Sequence, residues 1–165
     1  MKISLSNRSI PIMAALLLLI SLSGCGNSGD QTGPAAENLA KGKAFMEQNR
    51  LKDGVVTLDN GIQYRVFNKG SGKSPKLTDI VLIRSRGKHL DGSIFSDSYN
   101  ENKPEKMLVK HTMLGWKKIL PLMSVGSKWT VYLPPHVAFS SRGIEGLIEP
   151  NETLIFDIDL ISIEW

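Results

Sequence analysis

The stretch Gly115-Trp116-Lys117-Lys118-Ile119-Leu120-Pro121-Leu122-Met123-Ser124-Val125-Gly126 decides the fold. With Met113 and Leu114 just before it, Trp116, Ile119, Leu120 and Met123 recur at roughly helical spacing. No other segment of the surrounding region reads this way; the rest looks like strands. Gly126 supplies a stop. Pro121 keeps the helix short, because it cannot donate a backbone hydrogen bond and crowds the preceding turn. A short helix that begins with a Trp needs a sheet to bury it. The spacing leaves open whether Trp116 is core alone or also the floor of a pocket.

Strands lie on both sides of that helix. After it, Lys128 to Leu133 alternates, with Trp129, Val131 and Leu133 on one face and Thr130 and Tyr132 on the other. Pro134-Pro135 ends this strand. Thr153 to Ile163 alternates as clearly: Leu154, Phe156, Ile158 and Leu160 face one side, Ile155, Asp157, Asp159 and Ile161 the other. Before the helix, Asp59-Asn60-Gly61 reads as a tight turn leading into a strand from Ile62 to Phe67. Asp79 to Leu90 is a second strand, and Asp91-Gly92 a two-residue hairpin turn into Ser93-Ile94-Phe95. Lys106 to Val109 is a short strand before the helix. The expected fold class is α+β: a curved antiparallel sheet of about five strands closing over one short helix. It spans residues 55–165.

Two loops remain. Gly70 to Pro75 has two glycines but neither the spacing nor the following helix of a phosphate cradle, and reads as a plain loop. Residues 136–151 carry Val137, Phe139, Ile144, Leu147 and Ile148. So many apolar residues on a loop predict a folded flap over a groove.

The N-terminal third is organised differently. Lys2 and Arg8 precede an apolar run from Ile10 to Leu22, too short to span a bilayer comfortably, so residues 1–24 read as a signal peptide. Leu22-Ser23-Gly24-Cys25 resembles a bacterial lipobox, in which the Cys is acylated and the chain is cut just before it. Cys25 is the only cysteine, so it cannot form an internal disulfide. Lipidation there predicts membrane attachment. Gly26 follows it, rather than the Asp that resembles an inner-membrane retention signal, which points to the outer membrane facing the periplasm. Residues 25–34 are Gly-rich and polar and read as a flexible tether. Residues 35–54 favour a short helical arm, with Leu39, Phe45 and Met46 as its apolar stripe and Gly42 as a weak point. This arm packs on the main domain or serves in dimerisation.

Composition excludes some functions. The chain has 165 residues, 41% hydrophobic and 22% charged, and a formal net charge of +4. Without Lys2 and Arg8 the remainder has 18 basic and 16 acidic residues, a balance that does not favour nucleic acid. His89, His111 and His136 lack metal-ligand spacing and read as ordinary surface residues, and no metal or cofactor is expected.

Several motifs in fixed order carry a family resemblance. These are Gly87 with Asp91-Gly92-Ser93-Ile94-Phe95, Asn102-Lys103-Pro104, Leu114-Gly115-Trp116, Met123-Ser124-Val125-Gly126-Ser127-Lys128, and Ile148 through Asp157. Together they resemble the FK506-binding-protein (FKBP) type of peptidyl-prolyl cis-trans isomerase. Residues 38–64 further resemble its bacterial exported members, of the macrophage-infectivity-potentiator and FkpA type. Those usually carry a longer helical dimerisation region, nearly absent here.

The resemblance implies a half-barrel sheet wrapped on the short helix, with an aromatic prolyl pocket. It makes Trp116 the floor, Phe95 and Phe156 the walls, and Phe139 the ring of the flap. Met113 stands where a backbone N–H meets a ligand carbonyl, and Ile148 belongs to the flap side. Three polar groups depart from the family pattern: Ser85 replaces a Tyr, Ser96 an Asp, and Phe139 a Tyr. Glu105 and Met107 stand where the family has an aromatic. The implied partners are proline-containing unfolded or exported polypeptides and FK506-like macrolides. Two functions fit this pattern: a prolyl isomerase of weakened activity assisting folding in the periplasm, or a non-catalytic chaperone or protein-binding lipoprotein retaining the fold.

Overall fold

The computed structural model describes residues 33–100 and 103–164. The signal segment, Cys25, most of the tether and Asn102 lie outside the described residues. Helix α1 (Pro34–Asn49) comes first. The strands are β1 (Val55–Thr57), β2 (Gln63–Lys69), β3 (Ile80–Lys88), β4 (Ile94–Asp97), β5 (Glu105–Leu108), β6 (Ser127–Leu133) and β7 (Leu154–Glu164). The second helix, α2 (Leu114–Ile119), lies between β5 and β6.

Among the described residues seven strands form one antiparallel sheet in the order β1-β2-β6-β7-β3-β4, with β5 off this path on β3. The edge of β3 away from β7 is shared: β5 pairs with Ile80–Ile83 and β4 with Arg86–Lys88. The strand total exceeds the five or so expected from sequence. The added strand, β1, is three residues long, too short for alternation to show, and it is recruited by pairing with β2. The turn after β3 also differs. His89 N–H donates to Ser93 O (2.9 Å) and Gly92 N–H to His89 O (3.1 Å), so Leu90-Asp91-Gly92 form a three-residue loop. Gly92 takes φ +89°, the left-handed position that closes such loops.

The concave face holds the core. On β3, Val81, Ile83, Ser85 and Gly87 are buried in alternation, and on β7 Leu154, Phe156, Ile158 and Leu160. Trp116, Ile119, Leu120 and Met123 bury the helix against them. Gly115 allows α2 to lie close to β6, since a Cβ there would sit 2.7 Å from Leu133 Cδ2. After Ile119 the chain tightens into a 3₁₀ turn, Leu120–Leu122, which contains Pro121. Gly126, at φ +85°, ends the segment, and its N–H donates to Leu160 O (2.8 Å).

Helix α1 packs through an unexpected face. Leu39 is half exposed, so it is not part of the buried stripe, although Phe45 and Met46 are partly buried. Gly42 and Asn49 are the buried residues of the helix. Gly42 permits the contact rather than weakening it, because a Cβ there would run into Thr153 Oγ1. Asn49 Nδ2 donates to Gln63 Oε1 (2.9 Å), and Gln63 Nε2 to Met46 O (2.8 Å), which ties the end of the helix to β2.

Candidate functional site

The eight pocket residues singled out from sequence, Ser85, Phe95, Ser96, Met113, Trp116, Phe139, Ile148 and Phe156, line one cavity of about 530 Å³. The sheet, α2 and the flap each contribute to it. Trp116 comes from the start of α2 and is 5% exposed. Its indole meets Phe156 edge-on, with centroids 5.4 Å apart and planes at 84°. Phe156 in turn meets Phe95 at 5.7 Å and 87°. Such T-shaped contacts set the electropositive ring edge against the electronegative ring face. The three rings therefore brace one another into a fixed apolar surface.

Two local features place Phe95. Gly87 lies beneath it, and a Cβ at Gly87 would come within 2.5 Å of the Phe95 ring and 3.1 Å of Phe156. The β3–β4 register shifts between Gly87 and Lys88, a bulge that re-aims side chains so that both Phe95 and Ser96 line the cavity. From its other side His89 meets Phe95 at 5.0 Å, and His89 Nδ1 lies 2.6 Å from Glu152 Oε1. His89 is thus a bridge between the hairpin and the flap rather than an ordinary surface residue. Sequence spacing gives no hint of this pair, because 63 positions separate its members.

Met113 is the N-cap of α2, with extended backbone, and its carbonyl accepts the N–H of Lys117 (3.1 Å). The amide of an N-cap has no partner within its helix. The flap closes on itself between Ile144 and Ile148, whose amides and carbonyls exchange bonds of 2.7 and 2.8 Å. Ile148 is buried as the anchor, while Ile144 and Leu147 stand partly exposed at the cavity. Phe139 is partly buried at the other end of the flap, followed by Ser140 in the left-handed region at φ 53°.

The polar lining is sparse. Ser85 is buried, and its N–H donates to Ser98 Oγ (2.8 Å). Its hydroxyl donates to Glu105 Oε1 (3.2 Å). Asp97 does not stand in for an acid at position 96. It pairs in register with Arg86, on the face opposite Ser85 and Gly87, and accepts a hydrogen bond from Arg86 Nε (3.0 Å). Glu105, Met107, Leu108, His111, Thr112, Ile144 and Leu147 complete the lining. Of these, Glu105 and Met107 were marked by the resemblance as standing in place of an aromatic, and Ile144 and Leu147 carried a signal as apolar residues on a loop. His111 carried none.

The family model described as FKBP-type peptidyl-prolyl cis-trans isomerase matches residues 71–161. The chain belongs to this family. The model for the domain amino terminal to FKBP-type isomerases matches residues 28–66. Peptidyl-prolyl cis-trans isomerase Mip of Coxiella burnetii is 40% identical over 127 residues, 77% of this chain and 55% of that protein. Outer membrane protein MIP of Legionella longbeachae is 41% identical over 130 residues, 79% and 56%. The chain therefore spans little more than half the length of these curated relatives. Among solved structures, FkpA from Escherichia coli superposes with a TM-score of 0.76 at 35% identity, covering 79% of this chain and 61% of that one. A peptidyl-prolyl isomerase of Pseudomonas syringae pv. tomato superposes at 0.75 with 30% identity, covering 81% and 98%.

The cavity has an aromatic lining and few polar groups at its rim. Phe95, Trp116 and Phe156 stand together as ring neighbours. Serines occupy positions 85 and 96, and a hydroxyl-free ring position 139. Among the described residues no group of three or more His, Cys, Asp or Glu is placed to hold a metal ion. No helix among them is long and apolar enough to cross a membrane.

Proposed function

We propose that the chain is a peptidyl-prolyl cis-trans isomerase that works on proline-containing polypeptides in the cell envelope, with activity weakened by the changed rim of its pocket. The observation that carries this reading is the cavity floored by Trp116 and walled by Phe95 and Phe156. Rotation about a peptide bond is opposed by about 18–20 kcal/mol of amide resonance. For an X–Pro bond the uncatalysed exchange takes tens to hundreds of seconds. The reaction makes and breaks no covalent bond, so it requires no nucleophile or general base. A twisted amide has lost resonance and is less polar than a planar one, so an apolar site that excludes water favours it over the ground state.

The residues divide this task. Trp116, Phe95 and Phe156 grip the pyrrolidine ring. The amide of Met113 donates to a substrate carbonyl and fixes the pose. Ile148 and Phe139 cover the bound segment from the flap. Phe139 lacks the phenolic hydroxyl of the family pattern, and one such hydrogen bond is worth about 0.5–1.5 kcal/mol. Ser96 cannot act as an anionic acceptor, and Ser85 already donates to Glu105. FK506-like macrolides, which occupy this pocket in the family, bind weakly on the same grounds.

A protease-coupled proline-isomerisation assay on protein beginning at Gly26 tests the activity. Acceleration above the uncatalysed rate, lost in Trp116→Ala, is expected. A rate equal to the uncatalysed one removes the enzyme reading. It would leave the second one, a non-catalytic chaperone or binding lipoprotein, which the substitutions at Ser85, Ser96 and Phe139 favour. The proposal takes residues 1–24 as a lipoprotein signal peptide, 25–34 as the tether, 35–54 as the arm and 55–165 as the isomerase domain, with Cys25 lipidated and the protein held at the outer membrane. The similarity to an outer membrane protein of Legionella longbeachae supports the envelope location. Cys25→Ser is expected to abolish acyl labelling; unchanged labelling removes the anchor from the proposal.

A further inference from the structure

We propose that Glu105 makes this pocket select polypeptides with a lysine or arginine next to the proline. The inference rests on the proline-binding reading of the cavity and names its substrate class. Glu105 begins β5 and pairs in register with Ile83 of β3, so its side chain shares the concave face with Ile83 and with Ser85 two residues on. It lines the same cavity as Trp116 and Phe156. Among the described residues it is the sole carboxylate of that lining, no Lys or Arg lines it, and His111 is the one other ionisable group.

The carboxylate is held in place. Ser85 Oγ donates to Glu105 Oε1 (3.2 Å), and Ser85 is itself fixed, with its N–H on Ser98 Oγ (2.8 Å) and its carbonyl accepting Ser98 N–H (2.9 Å). Among the described residues no other hydrogen bond or ion pair reaches Glu105, so Oε2 remains available at the exposed mouth. The neighbouring Lys106 is directed elsewhere, to Glu164 (3.4 Å). A single negative charge beside apolar walls focuses its field along the cavity. The stem of a substrate lysine can lie on Met107, which lines the same wall, while its ammonium reaches Glu105. An exposed ion pair of this kind supports a preference of about two- to fivefold.

The test uses short peptides with lysine, norleucine or glutamate immediately before or after the proline. Nuclear magnetic resonance titration gives their affinities, and exchange spectroscopy on the same samples gives isomerisation rates. Lysine peptides are expected to bind about two- to fivefold tighter than norleucine peptides at one of the two positions, with glutamate weakest. That ratio is expected to collapse toward one in Glu105→Gln, and in the unaltered protein at about 0.5 M salt, where screening shortens the reach of the charge. Equal affinities for lysine and norleucine at both positions overturn the proposal, as does a lysine preference that survives Glu105→Gln or high salt. If no peptide exchanges faster, the isomerase reading falls while the affinity ratio still decides this one. If no peptide binds, both fall.

Discussion

Gly87 is where the smallest side chain matters most. Its missing Cβ is the space that the Phe95 ring occupies, 2.5 Å from where that carbon would be. Gly87→Ala must tilt Phe95 out of its edge contact with Phe156. Overpacking of this kind costs about 1–3 kcal/mol. The expected result is a lower melting temperature together with weaker proline-peptide binding; a variant with unaltered affinity would show that Phe95 is no wall. Phe139 tests the rim in the opposite direction. Phe139→Tyr returns one hydroxyl at the flap, and a gain in kcat/KM of up to about tenfold is expected. No gain would place the ring away from the substrate. At this scale sequence reading succeeds where a residue type has one physical use. Trp116 and Phe156 fall on the buried faces that their spacing indicates. It fails for Glu105 and His89, whose roles depend on partners far along the chain.

Helix α1 shows why an element can be seen while its buried face is missed. The inward positions Ala35, Asn38, Gly42, Phe45 and Asn49 recur at intervals of three and four, as a helix requires. Most are small or polar, so hydropathy reports no stripe and instead draws attention to Leu39, which is half exposed. What holds the start of the helix is hydrogen bonding to the base of the flap. Asn38 Nδ2 donates to Glu149 Oε2 (2.8 Å) and to Pro150 O (3.2 Å), and Asn151 Nδ2 donates to Ala35 O (3.3 Å). Glu152, two residues beyond Pro150, meets His89, which in turn contacts Phe95. The arm therefore braces the flap that covers the pocket. Asn38→Ala is expected to cost about 0.5–1.5 kcal/mol. Gly42→Val, which drives a side chain into Thr153, is expected to cost about 1–3 kcal/mol. Both should speed amide exchange at Asn151, whose N–H donates to Ser140 O (2.8 Å). Exchange unchanged in both variants would sever α1 from the flap.

For the whole molecule, alternation identifies β3, β6 and β7 as strands but cannot say who pairs with whom. The decisive arrangement, β7 between β6 and β3, brings the chain's end into its middle and leaves no local trace. The sharing of one β3 edge by β4 and β5 is equally invisible. That arrangement makes the response to acid a global property, because carboxylates at separate joints of the sheet are favoured in their charged form. Asp91, in the β3–β4 loop, is held below the ordinary 3.8 by the hydroxyl and then the N–H of Ser93. Asp97, at the end of β4, is pushed up by burial, yet the N–H groups of Asn100 and Tyr99 and the Arg86 guanidinium together bring it below 3.8. Glu164, at the end of β7, is held below 4.5 by the Ser162 hydroxyl and then Lys106. In each case the folded chain binds its proton less readily than the unfolded chain does. The stabilisation is therefore complete above the ordinary values of 3.8 and 4.5 and drains away as pH falls through the lowered ones. Melting temperature should be level on the neutral side of about pH 5 and should fall between about pH 4 and pH 2. Asp97→Asn, which removes the titrating group, should flatten part of that fall. A melting curve independent of pH down to about pH 2 would mean that these contacts do not distinguish the folded chain from the unfolded one.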